Sequence, residues 1–341
     1  MKTLKKKFYY IIAGLLILLM VLPVLVSCSE TEQLVFEETR PMMDTYVRIV
    51  VYSDEPTAKT AISTAFDRIE EVINIASTFD ENAEAFKLNQ DGYITDSSPE
   101  LLNLISLSLD YYNLTDGAFD ITVQPLLDLW SFNPTAEKQF WELDTATQET
   151  AINEAMKLVG SDKIVMEENK ISFSKPGIEI TLSAIAKGYT VDEALKVIKD
   201  SGIGYALVDA GGDIGTLGSK PNGELWQIAL VNPDNTSESL ATFRVSGKAV
   251  ATSGNYQHYF DPEATVGHIM DPKTGYSASD CISVTIVANN CTYADTLATG
   301  VFVMGPQDGL NLVESLDNVE CLIVDAERKL YQSSGLSKYL K

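Results

Sequence analysis

Residues 205–252 read YALVDAGGDIGTLGSKPNGELWQIALVNPDNTSESLATFRVSGKAVAT. Apolar runs at 205–209, 225–231, 241–246 and 248–252 follow one another with no helical pattern between them. A doubly wound parallel sheet needs a crossover helix between successive strands, so this stretch argues against one. Further strands are expected at 46–52 (YVRIVVY), 282–288 and 320–325, and a hairpin over 163–180 turning at Glu167-Glu168-Asn169. Helices flank these runs. Ala58, Ala61, Ile62, Ala65, Phe66, Ile69, Val72, Ile73 and Ala76 recur at three- and four-residue steps and predict an amphipathic helix over 57–76. Ser98-Pro99-Glu100 opens a second helix running to about Asn113. Ser183 to Ser201 reads as a third, with Val191, Ala194, Leu195 and Ile198 on its apolar face, and others are expected at 151–159 and from Tyr293 and Pro306. Residues 134–150 are polar and read as a loop or insertion. The class is α+β, a mixed or antiparallel sheet core with flanking helices, without internal repeats or a clean linker.

The chain has 341 residues, 45% apolar, 21% charged and 9% aromatic, a globular composition. Its length suits one large or two medium domains. Lys and Arg total 25 against 48 Asp and Glu, a net charge of −23. A protein that tracks nucleic-acid phosphates needs a basic face, and this balance excludes that class.

The first residues are of a different kind. Lys2, Lys5, Lys6 and Lys7 precede an uncharged apolar run from Phe8 to Val26, and Leu25-Val26-Ser27-Cys28 follows. That is the layout of a bacterial export signal ending in a lipobox. The expected organisation is a lipoprotein signal over 1–27, a polar, acidic tether over 28–40, and a folded body over 41–341, whole or as two subdomains. Acyl chains on Cys28 would hold the body at the membrane. An uncleaved apolar anchor is the alternative, and both place the body outside the cytoplasm. Cys281, Cys291 and Cys321 then remain, with no Cys-x-x-Cys spacing. They read as small buried hydrophobes, with a Cys281–Cys291 disulfide left open.

Five stretches carry small and polar residues where a core element would not need them. Ala210-Gly211-Gly212-Asp213 follows a strand; paired glycines either make a tight turn or let backbone N–H groups approach a ligand. Thr252-Ser253-Gly254-Asn255-Tyr256 is the second, and Gly267 to Gly275, with His268 and Asp271, the third. His258, the other histidine, lies among aromatics and reads as packing. In the fourth, Tyr293 to Gly300, Asp295 and Thr299 are one helical turn apart and share a face. A carboxylate and a hydroxyl suit a hard cation such as Mg²⁺; a helix-start charge beside a solvent-facing Thr is the alternative. In the fifth, Gly117 to Val123, Phe119 either stacks on a flat ring or packs in the core, and Asp120 accepts hydrogen bonds.

Taken together and in order, the segments MDTYVRI, GAFDITVQPLLDLW, LSAIAKGYTVD, VDAGGDIGTLG, ATSGNYQHYF, GHIMDPKTGY and ADTLATGVFVMG resemble the ApbE family, the FAD:protein FMN transferases. The resemblance runs from about Met43 to Gly305. It implies that Met43, Ala118, Phe119, Asp120, Lys187 and Ile269 line an FAD site, with Gly211 and Gly212 near the flavin nucleotide. It implies Mg²⁺ held by the side chains of Asp295 and Thr299 and the backbone carbonyl of Ala184, and transfer promoted by His268. Three departures stand out. Met43-Asp44-Thr45 replaces Met-Gly-Thr, Phe79 stands where the family usually carries Tyr, and Thr181-Leu182 replaces Asp-Leu, which removes an acid that touches FAD.

The reaction so implied moves FMN from FAD to a Thr or Ser hydroxyl of an exported or membrane flavoprotein, releasing AMP. An imidazole, with an ordinary pKa of about 6.5, is suited to take the hydroxyl proton. Asp271 is placed to orient that ring if its turn brings it close. Lys187 adds a positive charge that an anionic diphosphate requires. Two alternatives remain at this level: an FAD pyrophosphatase using water, and a flavin- or solute-binding lipoprotein without turnover.

Overall fold

A computed structural model describes residues 34–257, 259–261, 263 and 266–341. The export signal, Cys28, the first part of the tether and His258 lie outside the described residues. In chain order the first half runs β1 (Leu34–Met42), β2 (Thr45–Ser53), α1 (Glu55–Ala76), α2 (Glu84–Asp91), β3 (Tyr93–Ile94), α3 (Pro99–Leu114), α4 (Gln124–Trp130), α5 (Thr145–Met156), β4 (Ile164–Glu167) and β5 (Lys170–Phe173). The second runs α6 (Ser183–Asp200), β6 (Ala206–Ala210), β7 (Asp213–Leu217), β8 (Trp226–Asn232), β9 (Asn235–Val245), β10 (Ala249–Gly254), β11 (Cys281–Ala288), α7 (Cys291–Met304), α8 (Pro306–Glu314), β12 (Glu320–Asp325) and β13 (Leu330–Gln332).

Eight strands form one sheet in the order β1-β2-β6-β7-β10-β11-β12-β13, and every pairing from β2 to β13 is antiparallel. Side chains alternate between its faces with the two-residue strand period. Val47, Ile49, Val208, Ala251, Val284 and Ile286 point one way, onto Ala61, Ile62 and Ile69 of α1, Val191 and Ala194 of α6, and Leu297 and Val301 of α7. Val50, Leu207, Val250 and Val287 point the other way, onto Trp226, Ile228 and Phe243 of the β8–β9 hairpin. The result is three layers, helices over sheet over hairpin, and the α+β reading holds.

The helix starts follow local chemistry. The Asp54 side chain accepts from Thr57 N–H and caps α1, and the Ser98 hydroxyl accepts from Leu101 N–H and caps α3, each with a proline in the first turn. The hairpin at Glu167-Glu168-Asn169 is present, with Glu168 at φ 47°.

Several elements differ from the sequence reading. Residues 34–40, assigned to a tether, belong to edge strand β1; Glu37 on it receives two 2.8 Å hydrogen bonds from the Arg48 guanidinium on β2. β7 is not among the expected strands, and its helix-facing position is Gly215. A Cβ there would lie 2.6 Å from Leu195 and 2.7 Å from Val191 on α6. The polar stretch 134–150 contains the start of α5, capped by Asp144 onto Thr147 N–H, and a short turn boxed by Gln139 and Glu142. α2 and α4, eight and seven residues long, are too short to show a periodic signal. Cys281, Cys291 and Cys321 are buried free thiols, so Cys281 and Cys291 are not joined.

Candidate active site

Two hairpin tips lie side by side at one end of the sheet. Met43 and Asp44, between β1 and β2, have φ 54° and 55°; Gly211 and Gly212, between β6 and β7, have φ 64° and 102°. Two consecutive positive φ values are what a type I′ hairpin turn requires. Glycine meets that at no steric cost, and Asp is among the residues that tolerate it, which accounts for Asp44 where the family usually carries Gly. Gly211 is also a close approach: a Cβ there would sit 2.6 Å from Thr45 Oγ1.

These tips open onto a cavity of about 380 Å³. Met43, Ala118, Phe119, Asp120, Thr181, Ala184, Lys187, Gly211, His268, Ile269, Asp295 and Thr299 all line it. Two of the expected residues do not. Phe79 is 86% exposed on the connection between α1 and α2, and Gly212 gives its N–H to Asp209 Oδ1 at 2.9 Å within the turn. Residues the sequence did not single out also line the cavity, among them Thr45, Ser183 and Leu127. All three lie inside quoted motifs, which is the only signal they carry.

The deepest chemistry is at the α6–α7 contact. The start of α7 is capped without Asp295: Asn290 Oδ1 accepts from Tyr293 N–H at 2.8 Å, and Asp192 of α6 accepts from the N–H groups of Cys291 and Thr292 at 2.7 and 2.8 Å. Asp295 is therefore not spent as a helix-start charge. Its Oδ2 accepts from Gly188 N–H at 2.9 Å, and no hydrogen bond to Oδ1 forms among the described residues. Burial pushes the Asp295 carboxyl well above the usual range, Asp213 adds to this, and Lys187 opposes it. One turn on, Thr299 Oγ1 lies 3.0 Å from Ser253 Oγ of β10.

Lys187 forms an ion pair with Asp213, which is only 1% exposed at the start of β7. Burial alone would lower the lysine pKa; the Asp295 and Asp213 carboxylates outweigh it and hold the ammonium charged. Among the described residues no group of three or more His, Cys, Asp or Glu side chains is placed to hold a metal. The residues present nevertheless fit Mg²⁺. They supply a buried carboxylate with one unengaged oxygen and a hydroxyl on the same helix face, and Mg²⁺ usually completes its shell with water and substrate phosphate.

The other walls are built by packing. The Phe119 ring is buried edge-on to Tyr111, with centroids 6.1 Å apart, so it serves the core. Asp120 is saturated locally: Oδ1 accepts from the hydroxyls of Thr122 and Ser161, both at 2.6 Å, and Oδ2 accepts from Ser161 N–H at 3.2 Å. Burial raises its pKa against the pull of those bonds. Thr181 Oγ1 lies 2.9 Å from Ser183 Oγ, a hydroxyl pair where the family usually carries an acid. The segment bearing His268 is held from behind, where Trp130 Nε1–H donates to the Gly275 carbonyl at 2.9 Å. Asp271 takes Lys273 N–H at 2.8 Å and Thr274 Oγ1 at 2.9 Å within its own turn.

Comparison with known proteins shows the family and the fold. The model of the ApbE family matches residues 43–323. The chain is 31% identical over 337 residues to a Vibrio cholerae protein named FAD:protein FMN transferase, covering 95% of this chain and 98% of that one. It is 29% identical to a Haemophilus influenzae protein of the same name, covering 95% and 96%. Among solved structures it resembles the ApbE protein of Thermotoga maritima, with TM-score 0.81, 30% identity, and coverage of 90% of this chain and all of that one. It also resembles the flavin transferase ApbE of Vibrio cholerae, with TM-score 0.77, 28% identity and the same coverage. With matching motifs, matching topology and a match across most of its length, the chain belongs to the ApbE family.

Proposed function

We propose that this chain is a flavin transferase that moves FMN from FAD onto a Thr or Ser hydroxyl of a partner flavoprotein, releasing AMP. One observation carries the reading: Ala184, Lys187, His268, Asp295 and Thr299, from separate parts of the sequence, line a single cavity. In the step proposed, the acceptor oxygen bonds to the phosphorus attached to riboflavin. The bond from that phosphorus to the bridging oxygen breaks, and AMP carries the bridging oxygen away. His268 takes the hydroxyl proton, help typically worth about 10²–10⁴-fold. Lys187 offsets the negative charge of the diphosphate from the cavity wall. Asp295, Thr299 and the Ala184 carbonyl would hold Mg²⁺, which when bound offsets charge building on the phosphoryl oxygens. Thr181 and Ser183 offer hydroxyls in place of the family's acid, so the contact to FAD at that edge is neutral.

Cys28 is proposed to carry the lipid that keeps the body at the membrane outside the cytoplasm, where an exported flavoprotein is within reach. Among the described residues no helix is long and apolar enough to cross a membrane.

The test is incubation of the protein with FAD, Mg²⁺ and a candidate acceptor, followed by intact mass of the acceptor and nucleotide analysis. The expected result is an FMN-sized addition on a hydroxyl residue and an equal amount of AMP. AMP release without modification of any acceptor would replace the transferase reading with hydrolysis.

A further inference from the structure

We propose that Asp213 is a positioning residue that divides the charge in the α6–α7 corner: it keeps the Lys187 ammonium off Asp295, leaving that carboxylate for the metal ion. This rests on the metal reading given above.

Asp213 does not line the cavity and is almost completely buried. Its place is fixed by the Gly211-Gly212 turn, which starts β7 in register with Asp213 opposite Ala210. On the same strand face, Gly215 lets α6 come down onto the sheet. That brings Lys187 of α6 to the Asp213 carboxylate, and their ion pair is the only one Lys187 makes among the described residues. Asp295 is close enough to act on the Lys187 charge without pairing with it. Lysine is a compact charge on a flexible stem and can change partners. Of the partly buried acids near this corner, Asp192 is engaged by the first N–H groups of α7 and Asp209 accepts from Gly212 N–H.

Without a charge at 213, the ammonium has one carboxylate left to turn to, Asp295. In a poorly solvated pocket that attraction is strong. An incoming divalent ion would then have to displace an ammonium from its own ligand. With Asp213 in place, Lys187 remains at the cavity wall to meet phosphate while the Asp295 carboxylate stays open.

Manganese serves as a spin probe for the hard-cation site, free Mn²⁺ being read by electron paramagnetic resonance with no flavin present. Asp213→Asn is expected to weaken Mn²⁺ binding by about tenfold or more, a shift of at least about 1.4 kcal/mol. Lys187→Met is expected to tighten it, because the competing cation is gone and Asp213 remains. Asp213→Asn combined with Lys187→Met should return affinity to near the wild-type value, and Asp213→Glu should stay there. A merely structural role for Asp213 would leave the double variant as weak as Asp213→Asn, and that result overturns the proposal. Unchanged affinity in Asp213→Asn overturns it too. If Asp213→Asn does not fold, Lys187→Met decides alone, with unchanged or weaker binding counting against. Wild-type protein that takes up no Mn²⁺ removes the metal reading itself, whereas wild-type binding with no difference among the variants removes only the role of Asp213.

Discussion

The backbone N–H of Gly188 donates to Asp295 Oδ2 at 2.9 Å where helices α6 and α7 touch. A side chain at 188 has no room: a Cβ would lie 2.5 Å from the Cys291 carbonyl oxygen and 2.8 Å from Asp295 Cβ. The glycine thus permits the helix approach and, through its own amide, orients the carboxylate proposed to hold the metal.

Gly188→Ala is expected to force the two helices apart, because the nearest obstacle is backbone. The cost should be about 1–3 kcal/mol of stability. Denaturant melts measure it, and Mn²⁺ binding should fall in the fraction that remains folded. A variant as stable as wild type with unaltered metal affinity would contradict the contact.

His268→Ala should fold normally and retain FAD while transfer slows by about a hundredfold or more. Flavin fluorescence titration and intact mass of the acceptor separate the two effects. Transfer at the wild-type rate would remove the imidazole from the reaction.

Trp130→Phe tests the support behind the His268 segment. The substitution keeps an aromatic ring against Phe140, whose centroid is 4.8 Å away, but leaves the Gly275 carbonyl without its indole donor. The expected loss is about 1 kcal/mol from the bond, with a further fall in kcat and little change in FAD affinity. A fall in FAD affinity with kcat unchanged would show that the tryptophan shapes the nucleotide site instead.

Arg68 joins three helices: from α1, its Nη2 lies 2.7 Å from Glu100 Oε1 on α3 and 2.6 Å from Glu193 Oε2 on α6. Burial pushes the Glu100 carboxyl up, but Arg68 and the Tyr189 hydroxyl outweigh it and hold the pKa below the ordinary 4.5. A carboxyl with a lowered folded-state pKa binds its proton less tightly folded than unfolded. Its contribution is therefore present above about pH 4.5 and disappears as pH falls through the folded-state value. Arg68→Met should cost about 2 kcal/mol at pH 7. The gap from wild type should narrow below pH 4.5 in melts run across pH.

Much of this was legible in the sequence, for identifiable reasons. α1 and α6 carry long apolar periodicities, and β11 and β12 are short stretches rich in Ile and Val, buried along their whole length. Asp295 and Thr299 were visible as a pair because four residues make one helical turn. What the sequence hid depends on partners remote along the chain. β7 lacks a strand pattern because it gives up side-chain volume at Gly215 to admit Leu195 and Val191. Asp213 looks like the end of a glycine turn until Lys187, on another element, is seen against it. The bonds that Asp271 accepts from Lys273 N–H and Thr274 Oγ1 within its own turn are likewise invisible until the chain is folded.

The cavity is assembled from hairpin tips, helix starts and loops that range along the chain from Met43 to Thr299. Residues 268–299, in the last third of the chain, complete a wall that begins at Met43, so the cavity closes only when the whole fold is in place.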